Sequence, residues 1–123
     1  MKTCKLLREQ VAAATGSKKA ELVLKNAQIV NVFTQSVETG DIAIEGGYIV
    51  GIGNYEGITE KDLGGAYVCP GFLDGHIHIE SSMTSPGEFE RAVVPHGTIA
   101  VITDPHEIAN VAGTAGIRFM MQS

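Results

Sequence analysis

Two histidines separated by a single residue, His76 and His78, are the side chains of this sequence best suited to chemistry. Residues two apart on an extended strand point to the same side, so both imidazoles would project together while Ile77 faces the opposite way. Two imidazoles held side by side on a rigid strand are well placed to bind a divalent metal ion. We therefore predict that His76 and His78 are metal ligands.

The composition is that of a folded, acidic protein. The chain has 123 residues, 44% of them hydrophobic, which is enough for a core of its own. Its net charge of -5 argues against a nucleic acid or an anionic membrane surface as a partner. Cys4 and Cys69 lie far apart and are predicted to be reduced thiols. The sequence has no apolar run near the roughly 20 residues of a membrane span and no signal-peptide core, so we predict a cytoplasmic location.

The elements before the histidines divide into two segments. Residues 1–20 favour an N-terminal helix that ends at Gly16. Residues 21–67 carry short β-type runs separated by turn signals and are predicted to form a small antiparallel β unit. The first two runs are Leu22-Val23-Leu24 and Gln28-Ile29-Val30, and the turn signals include Asn26-Ala27, Thr39-Gly40 and Gly46-Gly47.

Residues 68–123 alternate strand and helix. A helix is predicted after the histidine strand, with Ser85 as its N-cap and Pro86 at its first position. The continuous apolar run at 99–102 is typical of a strand buried on both faces. A second helix is predicted from about Thr114. This order indicates parallel strands joined by right-handed crossovers.

Parallel strands with ligands at their carboxyl ends suit a (β/α)₈ barrel, in which each unit takes roughly 30 residues. The residues after Val68 leave room for about two such units. The predicted fold class is therefore α/β, the start of a metal-dependent TIM barrel preceded by an N-terminal helix and a small β domain. The chain is predicted to be the N-terminal piece of a larger enzyme.

The run Val-Cys-Pro-Gly-Phe-Leu-Asp-Gly-His-Ile-His at 68–78 resembles the first barrel strand of the amidohydrolase superfamily, whose mark is PGxxDxHxH. Within that superfamily, three stretches resemble the bacterial adenine deaminases. They are Gly75-His76-Ile77-His78-Ile79-Glu80-Ser81-Ser82-Met83, Pro95-His96-Gly97-Thr98 and Asp104-Pro105-His106-Glu107-Ile108-Ala109-Asn110-Val111.

The resemblance implies hydrolysis of adenine to hypoxanthine and ammonia in purine salvage. It implies a divalent metal pair, manganese or iron with zinc as a further candidate, and a homo-oligomer at full length. Residues 21–67 would then be part of a composite β-sandwich domain, with barrel units in 68–123. The superfamily's other metal ligands and its catalytic aspartate come from later strands, so no catalytic residue is assigned in this chain. The fragment alone is expected to be inactive.

Two carboxylates flank the histidines. Asp74 is two residues before His76, so it lies on the same side of the strand as the histidines. It is predicted to orient a ligand, with capping of the local turn as the alternative. Glu80 would reach the site if the strand continued. If a loop has begun at Ser81, Glu80 would instead form hydrogen bonds within that loop.

The end of the second strand supplies further candidates. His106 and Glu107 would lie at the functional face of a barrel, in contact with substrate or with an auxiliary metal. The alternative is that both are partly solvated in a loop shaped by Asp104 and Pro105. His96 precedes the strand, at the opposite end, and is predicted to be structural.

Two other functions remain open from the sequence. One is an amidohydrolase of the dihydroorotase or hydantoinase kind, which would share the metal pair but open a cyclic amide. The other is a non-catalytic fragment that serves as an interaction or structural module.

Overall fold

The computed structural model describes residues 4–123 and divides into two compact units, one ending at Pro70 and the other comprising Gly71–Ser123. Both units combine helix and strand, which confirms a mixed α/β chain. The predicted N-terminal helix is present from Cys4, while residues 1–3 lie outside the described part. None of the helices within residues 4–123 is long and apolar enough to cross a lipid bilayer.

The first unit is a helix packed on a mixed sheet. Its elements are α1 (Cys4–Ala14), β1 (Ala20–Asn31), β2 (Ser36–Glu45), β3 (Tyr48–Gly53), β4 (Gly57–Asp62) and β5 (Tyr67–Val68). Strands β3, β2, β1 and β4 follow one another across the sheet, and β5 pairs with β1. The predicted antiparallel pairing holds for β1, β2 and β3, but β4 and β5 run parallel to β1, so the prediction of an antiparallel unit is wrong for these two strands.

Helix α1 ends where the sequence predicts. Gly16 adopts a φ of 73° and donates its N–H to the carbonyl oxygen of Ala13, which is the usual left-handed termination. Ala13 is fully buried and packs with Val23 and Ala43 of the sheet. These small side chains let the helix approach the strands closely, and they form one of the unit's two core clusters.

The predicted turn at Asn26-Ala27 is instead a β-bulge inside the single long strand β1. Asn26 has the positive φ of 56° that its residue type tolerates, but its N–H donates to Oδ1 of Asp41 on the neighbouring strand. Lys25 pairs with the same carboxylate and also donates to the carbonyl oxygen of Tyr55. The long-range partner Asp41 thus keeps the chain in the sheet at a position where the local signal predicts a turn.

Of two other turn predictions, one is confirmed and one is wrong. Gly46 and Gly47 have positive φ angles of 57° and 76° and connect β2 to β3, as predicted. Thr39-Gly40 lies within β2, paired with β1, so the turn predicted there is wrong. The actual reversal between β1 and β2 contains Gln35, with a φ of 56°.

The second unit is a strand–helix–strand–helix segment with a parallel strand pair, as predicted. Ser85 is the N-cap of the first helix and accepts a hydrogen bond from the N–H of Glu88, also as predicted. The elements are β6 (Phe72–Ile77), α2 (Pro86–Val93), β7 (Thr98–Thr103) and α3 (His106–Gln122), with 3₁₀ turns at Ile79–Ser82 and Val94–His96.

Two expectations for this unit are wrong. Ile99 and Ile102 of β7 are 66% and 70% exposed, so within residues 4–123 this strand is not buried on both faces. The second helix starts at His106 instead of near Thr114, and Gly113 interrupts it with a φ of 58° and a ψ of -147°. Because the helix is interrupted at Gly113, the residues after the kink resemble the start of a separate helix, which is where the sequence predicts one.

Candidate metal centre

The parallel pairing of β6 with β7 brings the segments that follow the two strands together. Ile77 at the end of β6 is in register with Thr103 at the end of β7, and the N–H of Asp104 donates to the carbonyl oxygen of Ile77 at 3.1 Å. His78 and the segment that starts at Asp104 therefore leave the sheet side by side. Side chains far apart in sequence share this carboxyl edge, where ligands bind in parallel α/β sheets.

His76 and His78 lie on the same side of the chain, as their spacing predicts. Their Nε2 atoms are 3.0 Å apart and the ring centroids 4.9 Å apart. Metal–nitrogen bonds of about 2.1 Å meeting at a right angle separate two ligand nitrogens by about 3 Å. The pair is therefore spaced for a shared cation, and the same distance also permits a hydrogen bond between the rings when no cation is bound.

A backbone contact orients the His78 ring. Its Nδ1 lies 2.7 Å from the carbonyl oxygen of Asp104, which can only accept, so Nδ1 carries the proton and donates. The neutral ring then has its lone pair on Nε2, the atom directed at His76. Metal-binding histidines are commonly held in this way by a carbonyl on the other nitrogen. The tautomer of His78 therefore fits the binding of a cation through Nε2.

Asp74 acts on the backbone of the histidine strand. Its Oδ1 accepts a hydrogen bond from the N–H of His76 at 3.0 Å. This contact is local, as in the capping alternative for Asp74, but it lies within β6 and not in a turn. It fixes the main chain from which the His76 imidazole projects.

Asp104 is a potential ligand that the sequence reasoning treated only as a loop residue. Its carboxylate lies with His76 and His78 in a group whose ligand-capable atoms are all within 4.8 Å of one another. The signal that could have identified it is its position directly after β7, where the ends of parallel strands carry site residues. Its Oδ2 also lies 3.2 Å from Nδ1 of His106.

His106 and Glu107 lie beside the histidine pair. The rings of His78 and His106 meet edge to face, with centroids 4.7 Å apart, and His78, His106 and Glu107 form a second group of potential ligands within 4.8 Å. Both residues belong to the first turn of α3 and not to an irregular loop. His96 lies in the turn before β7, at the opposite end of that strand.

Glu80 accepts hydrogen bonds from its own N–H and from N–H groups at the start of α3, so its partners lie beyond the loop in which the second alternative placed them. Its Oε1 accepts the N–H of Ile108 at 3.3 Å, in the first turn of α3. Bonding to its own backbone N–H, followed by the N–H groups of Ile108 and Glu107, lowers the pKa of Glu80 below its ordinary value despite partial burial. Pro105, the N-cap of α3, makes no side-chain cap bond, so the Glu80 carboxylate takes over this role.

Imidazole ligands suit iron and zinc, and carboxylate ligands suit manganese, so the mixed ligands in these groups fit divalent transition-metal cations. Three features of the second unit fit such a cation. They are the spacing of the Nε2 atoms, the tautomer of His78 and the carboxylate of Asp104 within reach of both rings.

Comparison with known sequences identifies relatives of the chain. The amidohydrolase family model matches residues 67–123. The chain is 60% identical over 119 residues to adenine deaminase 2 of Carboxydothermus hydrogenoformans, covering 97% of this chain and 21% of that protein. It is 59% identical over 115 residues to the adenine deaminase of Geobacillus kaustophilus, covering 94% of this chain and 20% of that protein. The chain thus spans about a fifth of the length of these relatives.

A solved structure is also similar to part of the chain. An L-hydantoinase (dihydropyrimidinase) from Arthrobacter aurescens is 28% identical and covers 49% of this chain and 14% of that chain. The TM-score of 0.42 is too low for this likeness to define the fold of the whole chain.

Proposed function

We propose that the chain forms part of an enzyme that hydrolyses adenine to hypoxanthine and ammonia, and the match of the amidohydrolase family model to residues 67–123 supports this. The observation that carries the proposal is the 60% identity to an adenine deaminase over 97% of this chain. In the reaction, water adds to the ring carbon that bears the amino group. The carbon–nitrogen bond then breaks and ammonia leaves.

In this proposal His76 and His78 bind one ion of a divalent metal pair, with manganese or iron as the expected metals and zinc as a further candidate. When bound there, a divalent cation would lower the pKa of water and so would make a hydroxide nucleophile available near neutral pH. The chain's own residues hold the site in shape. Asp74 fixes the backbone of His76, and the carbonyl oxygen of Asp104 keeps the proton of His78 on Nδ1.

We further propose that β6, α2, β7 and α3 are the first two units of a (β/α)₈ barrel and that residues 21–67 are part of a composite β-sandwich domain. The parallel register of β6 and β7 and the strand–helix alternation support the barrel. Homo-oligomerisation at full length, a cytoplasmic location and the absence of nucleic-acid and membrane partners stay predictions.

The test uses the complete protein that carries this chain, loaded with Mn²⁺. We expect conversion of adenine to hypoxanthine, measured by chromatography, with one ammonia released per hypoxanthine. His76→Ala should lower kcat/KM by about a hundredfold or more, since removing a metal ligand costs at least as much as removing a group that orients one. His96→Ala is the matched control, because His96 lies at the other end of β7.

Two results would contradict the proposal. Ring opening of dihydroorotate or hydantoin without hypoxanthine formation would make the protein a cyclic amidase. A complete protein that binds no divalent cation and converts none of these substrates would indicate the non-catalytic alternative.

A further inference from the structure

We propose that Met83 is a substrate-binding residue whose side chain packs against the ring of the bound heterocycle, at the rim of the site that contains His76 and His78. The inference rests on the proposed function and deepens it, because it names an apolar contact for the substrate ring. It is carried by the backbone conformation of Met83, by the exposure of its side chain and by its place after the histidine strand.

Met83 has a backbone conformation that methionine rarely adopts. Its φ of 57° and ψ of 26° lie in the left-handed helical region, where the Cβ of an L-residue comes too close to the following carbonyl oxygen. Glycine, asparagine and aspartate adopt this region most readily. The geometry of the turn therefore does not favour methionine at this position. Strain of this kind is concentrated at active sites and at the segments that hold ligands.

The side chain of Met83 contributes little to the packing of the second unit. Met83 is 93% exposed, whereas Ile79, four residues earlier in the same connection, is buried. An apolar side chain stabilises a fold by leaving water, and Met83 does so hardly at all. A ligand that covers the side chain when it binds would account for both the strain and the exposure.

The turn that carries Met83 is held firmly in place. Met83 follows the 3₁₀ turn Ile79–Ser82 as its C-cap and donates its N–H to the carbonyl oxygen of Glu80 at 3.0 Å. The hydroxyl of Ser81 in the same turn donates to the carboxylate of Glu107 on α3 at 2.8 Å. The side chain of Met83 thus projects from a main chain that is fixed on both the strand side and the helix side.

Met83 also lies at the edge of the sheet where ligands bind. It belongs to the connection that leaves the carboxyl end of β6 and leads to α2, and such connections line the sites of parallel α/β folds. Only the 3₁₀ turn separates it from His78, and a 3₁₀ turn of four residues is about 8 Å long. A substrate bound at the histidines is therefore close to this connection.

The chemistry of methionine indicates the class of ligand. Its unbranched side chain adapts to the shape of a partner, and its thioether sulfur makes favourable contacts with aromatic rings. Adenine is a flat aromatic heterocycle, whereas the rings of dihydroorotate and hydantoin are not aromatic. A planar aromatic heterocycle is thus the ligand that this side chain fits best.

The test is steady-state kinetics of the complete protein loaded with Mn²⁺. Met83→Ala should raise KM for adenine by about fivefold to tenfold and change kcat by less than about twofold, since the ring contact is present in both the bound substrate and the transition state. The inhibition constant of hypoxanthine, which has the same fused ring, should rise by a similar factor. Met83→Leu keeps most of the apolar surface and should raise KM by only about twofold. The amount of bound Mn²⁺ should not change in either variant.

Glycine variants separate the ring contact from the backbone strain. Met83→Gly removes the side chain and also the unfavourable φ, so we expect a raised KM together with thermal unfolding at or above the wild-type temperature. Gln35→Gly is the matched control, because Gln35 has a φ of 56° in the reversal between β1 and β2. It relieves strain of the same kind and should leave KM for adenine unchanged.

The inference is overturned if Met83→Ala and Met83→Gly keep the wild-type KM for adenine, or if Met83→Ala loses bound Mn²⁺, while the proposed function stands as long as wild type deaminates adenine. If wild type instead opens the ring of dihydroorotate or hydantoin, the proposed function fails. The KM of Met83→Ala for that ring then decides the inference, which a wild-type value overturns and a raised value supports. Conversion of none of these compounds overturns both.

Discussion

The Nδ1–H of His78 donates to the main-chain carbonyl oxygen of Asp104 across 2.7 Å, which links the ends of β6 and β7. The acceptor belongs to the backbone, so substitution of the Asp104 side chain does not remove it. The orientation of His78 and the carboxylate of Asp104 can therefore be tested separately.

Asp104→Ala should weaken binding of Mn²⁺ by about tenfold, because it removes one carboxylate but keeps the His78 tautomer. His78→Ala should weaken it by about a hundredfold or more, because it removes the ligand common to both groups. Equilibrium dialysis of the complete protein measures both, and ring nitrogen shifts in ¹⁵N-histidine spectra of the Zn²⁺ form report the tautomer. Equal losses of Mn²⁺ affinity in the two variants would contradict the conclusion that the Asp104 carboxylate and the His78 ring contribute separately.

Glu80→Gln should loosen the first turn of α3. The carboxylate accepts the N–H of Ile108 and carries the negative charge that the start of a helix favours, whereas the amide of glutamine carries none. We expect several-fold faster hydrogen exchange at the amide of Ile108. Glu90→Gln, on the exposed side of α2, serves as the control, and unchanged exchange at Ile108 in Glu80→Gln would contradict the capping role.

Asp41→Asn should destabilise the protein by about 2 kcal/mol near pH 7, since the Lys25 ammonium and the partly buried N–H groups of Asn26 and Tyr55 lose a charged acceptor. Burial alone would raise the pKa of Asp41, but the Lys25 ammonium and the N–H groups of Asn26 and Tyr55 outweigh it and lower the pKa. A carboxylate with a lowered pKa stabilises the fold above its ordinary value of 3.8 and loses this contribution as the pH falls.

The stability difference between wild type and Asp41→Asn should therefore shrink as the pH drops below 3.8. Urea unfolding midpoints at a series of pH values measure it. Glu56→Gln is the control, because the Glu56 side chain is 75% exposed in its pair with Lys19 and such pairs contribute little. A difference that is constant with pH would contradict the role of the Asp41 charge.

Gly97→Ala and Gly87→Ala should change stability in opposite directions. Gly97 has a φ of 96°, and a Cβ there would lie 3.2 Å from the ring of Phe72, so alanine should cost about 1–2 kcal/mol. Gly87 lies inside α2 with its nearest neighbour for a Cβ at 4.0 Å, so alanine should stabilise the helix by up to about 1 kcal/mol. Thermal unfolding measures both, and a stabilised Gly97→Ala variant would contradict the strain at this turn.

Features that depend on neighbours in the chain could be predicted from the sequence. The cap at Ser85, the helix end at Gly16 and the hairpin at Gly46-Gly47 follow from residue types that favour particular backbone angles and local hydrogen bonds. The common side of His76 and His78 follows from the two-residue period of an extended strand. Each of these interactions spans only a few residues, so the sequence by itself determines it.

Features that depend on distant partners were decided only by the tertiary structure. Asn26 forms a bulge and not a turn because Asp41, on the next strand, accepts its N–H. Asp104 joins the histidines because the register of β6 with β7 brings residues 26 positions apart into hydrogen-bond contact. Strand pairing and the layers that cover a strand are long-range properties, and no local pattern of residue types specifies them.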